Sequence, residues 1–118
     1  MEFSLPPELE TLRNRVRAFV DSQVVPVEEQ LIAQDRDGSP ALLRELQDRV
    51  KGEGLWTPHL PAEYGGLGLG ALGMAALFRA MGRSLVGPRV FNCDAPDQGN
   101  MELLLQAASP QIRAKYLE

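Results

Sequence analysis

Leu9, Leu12, Val16, Phe19 and Val20 recur at three- and four-residue spacing with Arg13, Arg15 and Arg17 between them, which predicts an amphipathic opening helix. Ser4 stands where a cap would, prolines occupy the first turn, and Glu8 and Glu10 oppose the positive end of the helix dipole. Pro26 breaks or kinks this helix, because it has no N–H and its ring crowds the preceding turn. Val27, Leu31 and Ile32 carry a short continuation to Asp35-Arg36-Asp37-Gly38, a turn by composition. Ser39-Pro40 repeats the cap-plus-first-turn signal. The stripe Leu42, Leu43, Leu46 and Val50 then predicts a second helix, ended by Gly52 and Gly54.

From Leu55 to Gly70 the helical period is lost, and Pro58 and Pro61 remove two backbone donors. This stretch reads as an ordered loop with Trp56 against the core. Ala71 to Phe78 has no polar side chain, the pattern of a central helix covered on every side. Polar residues return at Arg79 and Arg83, and Gly87-Pro88 closes the element. Arg89 to Asn100 is a second loop region with one strand-like or helical turn at Val90-Phe91, and Met101 to Ala108 is a short buried helix. Ser109-Pro110 caps a last helix carrying Ile112, Tyr116 and Leu117. The expected fold is all-α, an orthogonal-to-antiparallel helical bundle forming a single domain over residues 1–118. The final helix, Ser109 to Glu118, runs fewer than three turns and stops without glycine or asparagine, so the chain reads as cut short.

Charge narrows the functional classes. Sixteen acidic and twelve basic residues among 118 give a formal charge of −4, with no lysine or arginine cluster along the sequence; nucleic acid is not an expected partner. The N-terminus carries an acid and two prolines rather than a signal peptide, and no apolar run is long enough to span a bilayer, so no membrane partner is expected. Cys93 is the only cysteine, which excludes a disulfide framework and suits a reducing cytoplasm.

The motifs stop short of a catalytic constellation. Gly68-Leu69-Gly70-Ala71-Leu72-Gly73 is spelled like a dinucleotide-binding fingerprint, but that motif needs a buried strand before its first glycine. Pro58 and Pro61 make such a strand implausible, and the absence of a lysine after the glycines argues against a P-loop. His59, the only histidine, reads as a loop residue hydrogen-bonded to backbone, which leaves no multi-histidine metal site. Cys93 reads as a small buried side chain whose thiol pKa is raised by neighbouring Asp94. Asp94 and Asp97 form a carboxylate pair, but Pro96, Gly99 and Asn100 around them favour turn and cap roles. No residue is assigned to catalysis, cofactor binding or a metal.

Taken together, the two loops and the helices between them resemble the N-terminal helical domain of the acyl-CoA dehydrogenase family over essentially the whole chain. The residues that carry this are Arg17-Ala18-Phe19-Val20 leading to Val24-Val25-Pro26, then Gly54-Leu55-Trp56 followed by Pro61-Ala62-Glu63-Tyr64-Gly65-Gly66-Leu67-Gly68, and the ending Lys115-Tyr116-Leu117. The stretch from Phe91 to Glu102 looks like the long-chain-type branch that includes the mammalian family members 10 and 11.

The resemblance implies α,β-dehydrogenation of an acyl-CoA thioester, in which a carboxylate takes the α-proton and the β-hydrogen leaves as hydride to the flavin of FAD. In the family that carboxylate and most of the flavin site come from later domains. The chain is then expected to be the N-terminal third of a longer enzyme, inactive by itself, whose partners are an acyl-CoA substrate, an electron-transfer acceptor and further copies in a homo-oligomer. Its own expected contribution is one wall of the acyl pocket. The resemblance puts Phe91, Asn92, Ala95 and Gly99 near the acyl chain, with small residues at Ala95 and Gly99 leaving room for a long or bulky substrate. The loop from Pro61 to Gly70 is expected to be architectural, with Gly65, Gly66 and Gly68 passing close to neighbouring backbone. Two other readings stand beside this one: a non-catalytic helical interaction or dimerisation module, and a nicotinamide-binding domain, which would need a strand before Gly68.

Overall fold

The computed structural model describes residues 4–117. The readings placed on Met1 to Phe3 and on Glu118 lie outside the described residues. Seven α-helices and no strand occur among the described residues: α1 (Pro7–Phe19), α2 (Glu28–Arg36), α3 (Ala41–Gly52), α4 (Ala71–Met81), α5 (Gly87–Val90), α6 (Asp97–Ala107) and α7 (Pro110–Tyr116). The all-α expectation is met, and the nicotinamide-binding reading falls with the missing strand before Gly68.

Pro26 shapes the first corner. Its ring would clash with the carbonyl of Ser22 in a regular helix. The chain instead widens into a π-helical turn over Val20–Val24 and tightens into a 3₁₀ turn over Val25–Val27 before α2 begins. Val16, Val20 and Val24 remain fully buried through this change of winding. The core is built around them: Phe19 from α1, Leu31 from α2, Leu46 and Val50 from α3, Leu77, Ala80 and Met81 from α4, and Val90 and Phe91 from α5 and its end. The most extensive helix contact is α1 against α4, while α6 and α7 pack on each other, and the whole is a slab 43 × 38 × 22 Å, about two helix diameters thick.

Several sequence signals act differently from their first reading. The residue in the cap position of α1 is Pro6, not Ser4, and that of α3 is Pro40, with no side-chain cap from Ser39. The Gln34 side-chain oxygen accepts from the Leu42 N–H at 3.1 Å, so a residue of α2 satisfies an end group that Ser39 was expected to serve. Gly87-Pro88 opens α5 rather than closing α4, which stops at Met81 with Gly82 in the C-cap position. A Cβ on Gly87 would lie 2.0 Å from the Met81 carbonyl oxygen, so the turn closes only around glycine. Glu28 holds this turn from α2: one carboxylate oxygen accepts from the Ser84 hydroxyl at 2.5 Å and the Leu85 N–H at 2.6 Å. The helix expected at Met101 begins at Asp97, so Gly99 and Asn100 are helical, and α6 buries none of its residues. Ser109 does cap α7, accepting from the Ile112 N–H at 3.4 Å. Finally, α4 is covered on only part of its circumference, because Ala71, Leu72 and Ala75 face outward, with Leu72 62 % exposed.

The loop between α3 and α4 is ordered by its backbone. The Gly66 N–H donates to the Pro61 carbonyl, the Leu67 N–H to Pro58 and the Gly68 N–H to Leu60, winding the chain over its own start. A Cβ at Gly66 would sit 2.0 Å from the Leu60 oxygen and 2.7 Å from the Thr57 oxygen. Gly65 and Gly68 meet open space and are needed instead for their positive φ of 80° and 61°. The Thr57 N–H then reaches across to the Phe91 carbonyl at 3.2 Å and ties this loop to the segment after α5.

His59 and Cys93 meet at the same junction, with Nδ1 and Sγ 3.7 Å apart; His59 therefore faces a thiol and not the backbone acceptor expected of it. Burial pushes the Cys93 thiol up to about 12, and this desolvation, not Asp94, is what raises it. Burial also lowers the His59 pKa, against a smaller opposing pull from the Glu102 carboxylate.

Two outcomes follow. Gly66→Ala forces a methyl group onto backbone atoms that cannot yield and should cost about 3 kcal/mol or more in urea or thermal unfolding, whereas exposed helical Gly52→Ala, with open space around its Cβ position, should be stabilising by up to about 1 kcal/mol. Buried Cys93 and half-buried His59 should also contribute to the pH profile of stability. Above the ordinary thiol value of 9.0 the unfolded chain loses the Cys93 proton while the folded chain keeps it, so stability falls as pH rises from there towards 12. Below 6.5 the unfolded chain protonates His59 before the folded chain does, so stability falls again on the acid side. Cys93→Ala should flatten the alkaline limb in pH-resolved unfolding.

Candidate functional site

Two concavities lie side by side where α5 hands over to α6. After α5, Asn92 takes a positive φ of 56°, and the Cys93 N–H donates back to the Pro88 carbonyl at 2.8 Å. Asparagine tolerates this left-handed geometry better than most residues with a side chain. The Asp94 carboxylate then accepts from the Ala95 N–H at 2.9 Å, the Ala95–Pro96 peptide is cis, and the Gln98 N–H donates to the Asp94 carbonyl at 3.0 Å. Asp94 thus shapes the entry into α6, as its turn role required, and Asp97 is the first helical residue, where a carboxylate meets the positive end of the dipole.

The first concavity, about 450 Å³, is the more polar of the two: Gln47, Arg89, Asn92, Asp94 and Asp97 line it together with the apolar Leu43, Ala95 and Pro96. The Gln47 amide donates to the Arg89 carbonyl at 3.2 Å, and the Arg89 guanidinium is engaged by Asp35 at 2.8 Å, so the free charge in the cavity is negative. The second is an apolar groove of about 520 Å³ along α6 and α7, lined by Met101, Leu103, Leu104, Ile112 and Tyr116 with Asn92, Asp97 and Asn100 at its polar end. Leu103 and Tyr116 are 63 % and 61 % exposed in it. Asn92 and Asp97 belong to both concavities, and the Asn92 side-chain amide points along the groove to the Met101 sulfur at 3.9 Å.

Of the four residues picked out in sequence, Asn92 and Ala95 are brought to one cavity. Phe91 lies behind them, fully buried with its ring edge-on to Phe19 at 5.5 Å between centroids. Gly99 is exposed on α6, and a Cβ there meets nothing within 4 Å. Sequence reading missed the groove because it placed Met101 to Ala108 in the interior. The signal for it was the i, i+4 pair Ile112 and Tyr116 on a helix too short to bury them. No set of three histidine, cysteine or acidic side chains among the described residues is placed to hold a metal. Cys93, a buried thiol, is no nucleophile at neutral pH.

Comparison with known proteins now gives this architecture a place. The family model described as "Acyl-CoA dehydrogenase, N-terminal domain" matches residues 6–118. Acyl-CoA dehydrogenase family member 10 of Mus musculus is 34 % identical over 96 % of this chain, which covers 11 % of that protein. Family member 11 of the same species is 34 % identical over 88 % of the chain, covering 14 % of its length. The solved structure of a "putative acyl-CoA dehydrogenase" from Mycobacterium abscessus superposes with a TM-score of 0.85 at 35 % identity, over 98 % of this chain and 31 % of that one. The chain therefore spans between about a tenth and a third of the length of these relatives. With the helical fold, the Pro61 to Gly68 loop and the matched span in agreement, the chain belongs to the acyl-CoA dehydrogenase family as its N-terminal helical domain.

Proposed function

We propose that this domain forms one wall of the acyl-binding pocket of an enzyme that dehydrogenates acyl-CoA thioesters between the α and β carbons. The observation that carries this reading is the position of Asn92, which sits where a polar cavity passes into an apolar groove lined by α6 and α7. A thioester ligand has the same character, polar at one end and aliphatic along its length. Ala95 lines the polar side and Phe91 holds the segment from the core side, while Gly99, exposed on α6 outside both concavities, would meet an acyl chain only where the rest of the enzyme closes over this face.

FAD is the family's cofactor, and the residues around Asn92 do not fit its diphosphate. Asp94 and Asp97 line the polar cavity, its arginine is engaged by Asp35, and the groove lining has no basic side chain. No step of the reaction is assigned to them. In this reading the flavin site and the catalytic carboxylate belong to the rest of the enzyme, a homo-oligomer that hands its reducing equivalents to a separate electron acceptor. This chain's part is to shape the pocket and keep water from it.

Gly99→Leu tests the wall in an enzyme containing this domain. The position is exposed and helical with nothing within 4 Å of its Cβ, so the domain should keep its fold or gain up to about 1 kcal/mol of helix stability. Turnover measured across acyl-CoA chain lengths should shift towards shorter substrates; an unchanged preference would remove Gly99 from the wall. By itself, the 118-residue chain should self-associate with rising concentration in sedimentation, and Leu103→Glu should reduce that association. A clean monomer with its groove exposed would count against this face being an internal one.

A further inference from the structure

No basic cluster is visible along the sequence, but the packing of α1 on α4 assembles one. Arg13 and Arg17 lie four residues apart on one face of α1, Arg79 stands in the last turn of α4, and Arg83 follows in the turn after the Gly82 C-cap. Their side chains line a cavity of about 370 Å³ floored by buried Ala80, with no other residue in its lining.

The acids nearby neutralise only part of this charge. Asp21 bonds Arg83 at 2.5 Å and Arg17 at 3.6 Å, and Glu10 bonds Arg13 at 3.0 Å. Arg79 makes no hydrogen bond or ion pair among the described residues. Four guanidinium groups face two carboxylates, on a chain whose overall charge is −4. Elsewhere on the surface helical neighbours join opposite charges, as in Glu45 with Arg49 four residues on and Asp48 with Lys51 three residues on. Arg13 and Arg17 repel each other at the four-residue spacing on α1, Glu10 and Asp21 offset part of that repulsion, and an anion between α1 and Arg79 would offset the rest.

We propose that this cavity binds a small phosphoryl-bearing anion of the diphosphate class. Guanidinium forks match phosphate oxygens two at a time, and forks from two helices converge on one space. The concavity is open to solvent on one side and leaves room for a small oxyanion among the four guanidinium groups. A lining of four arginines and one alanine offers no apolar wall for a base or a flavin ring, so recognition is of the phosphoryl groups while any carrier stays in solvent. The cluster shares no lining residue with the concavities beside α6, and this assignment stands apart from the acyl-wall reading.

The test is calorimetric titration of the full chain with inorganic diphosphate, and separately with ADP, at low ionic strength. The expected result is saturable binding at one site, weakened by added salt, with ADP within a few-fold of diphosphate. Arg79→Gln should weaken binding about tenfold or more. Arg79→Lys should fall between, keeping the charge without the fork. Arg44→Gln, an exposed arginine on α3, should leave affinity unchanged. Circular dichroism of each variant should match the parent, since Arg79 is exposed and carries no tertiary bond. The proposal is overturned by the absence of saturable binding, by an equal loss in Arg44→Gln, or by ADP binding more than about tenfold tighter than diphosphate. It is also overturned if an oligoglutamate peptide or an oligonucleotide binds the same arginines far more tightly, which would make the patch a macromolecular contact.

Discussion

Phe91 is joined to the rest of the molecule through both its ring and its backbone. The ring lies edge-on to Phe19 in the middle of the core, while the carbonyl accepts from the Thr57 N–H and the Cys93 thiol. The ring couples α1 to the end of α5, and the carbonyl couples the glycine-rich loop to the segment that enters α6. Truncating the ring would open a large cavity in the core, one of the costs that destabilise domains most, while the backbone carbonyl would keep both of its donors. The placement of Asn92 and Ala95 at their cavity therefore depends on a neighbour that never touches it.

Stability and exposure are divided unevenly over this slab. The core elements α1, α3, α4 and α5 bury Val16, Val50, Leu77 and Val90 completely, yet α6 and α7 bury nothing and leave Leu103, Ile112 and Tyr116 open. Isolated helices of seven and eleven residues are marginal in water, so most of the order in this arm comes from the contact between them and from the Ser109 cap. The outward face of Leu72 on α4 belongs to the same pattern. Such surface suits a domain whose family relatives are three to nine times longer than the span they share with it.

The helices were legible because their apolar positions keep the helical period, and the loop from Pro61 to Gly68 because its glycines and prolines leave little choice of conformation. What escaped reading was set by contacts between residues distant in sequence. Ser39 looks like a cap, but the amide it might have served is met by Gln34 from the preceding helix. Asp97 to Asn100 looks like a loop, but the turn built by Asp94 and Pro96 starts the helix early enough to include Gly99. Arg13 and Arg79 are 66 positions apart, and only the α1 to α4 contact brings them to one cavity. In the candidate site, Asn92 and Ala95 could be named from the family pattern, whereas the apolar groove required knowing that Met101 to Ala108 is not interior.

The lack of any buried residue on α6 has a consequence for how such a domain can diverge. Residues that hold the fold and residues that face the groove occupy different helices, so a change at Met101, Leu103 or Leu104 removes no core contact. Lineages descending from one ancestral domain can therefore drift in groove shape while retaining the Val16, Leu77 and Phe91 framework intact, without a compensating mutation in the core.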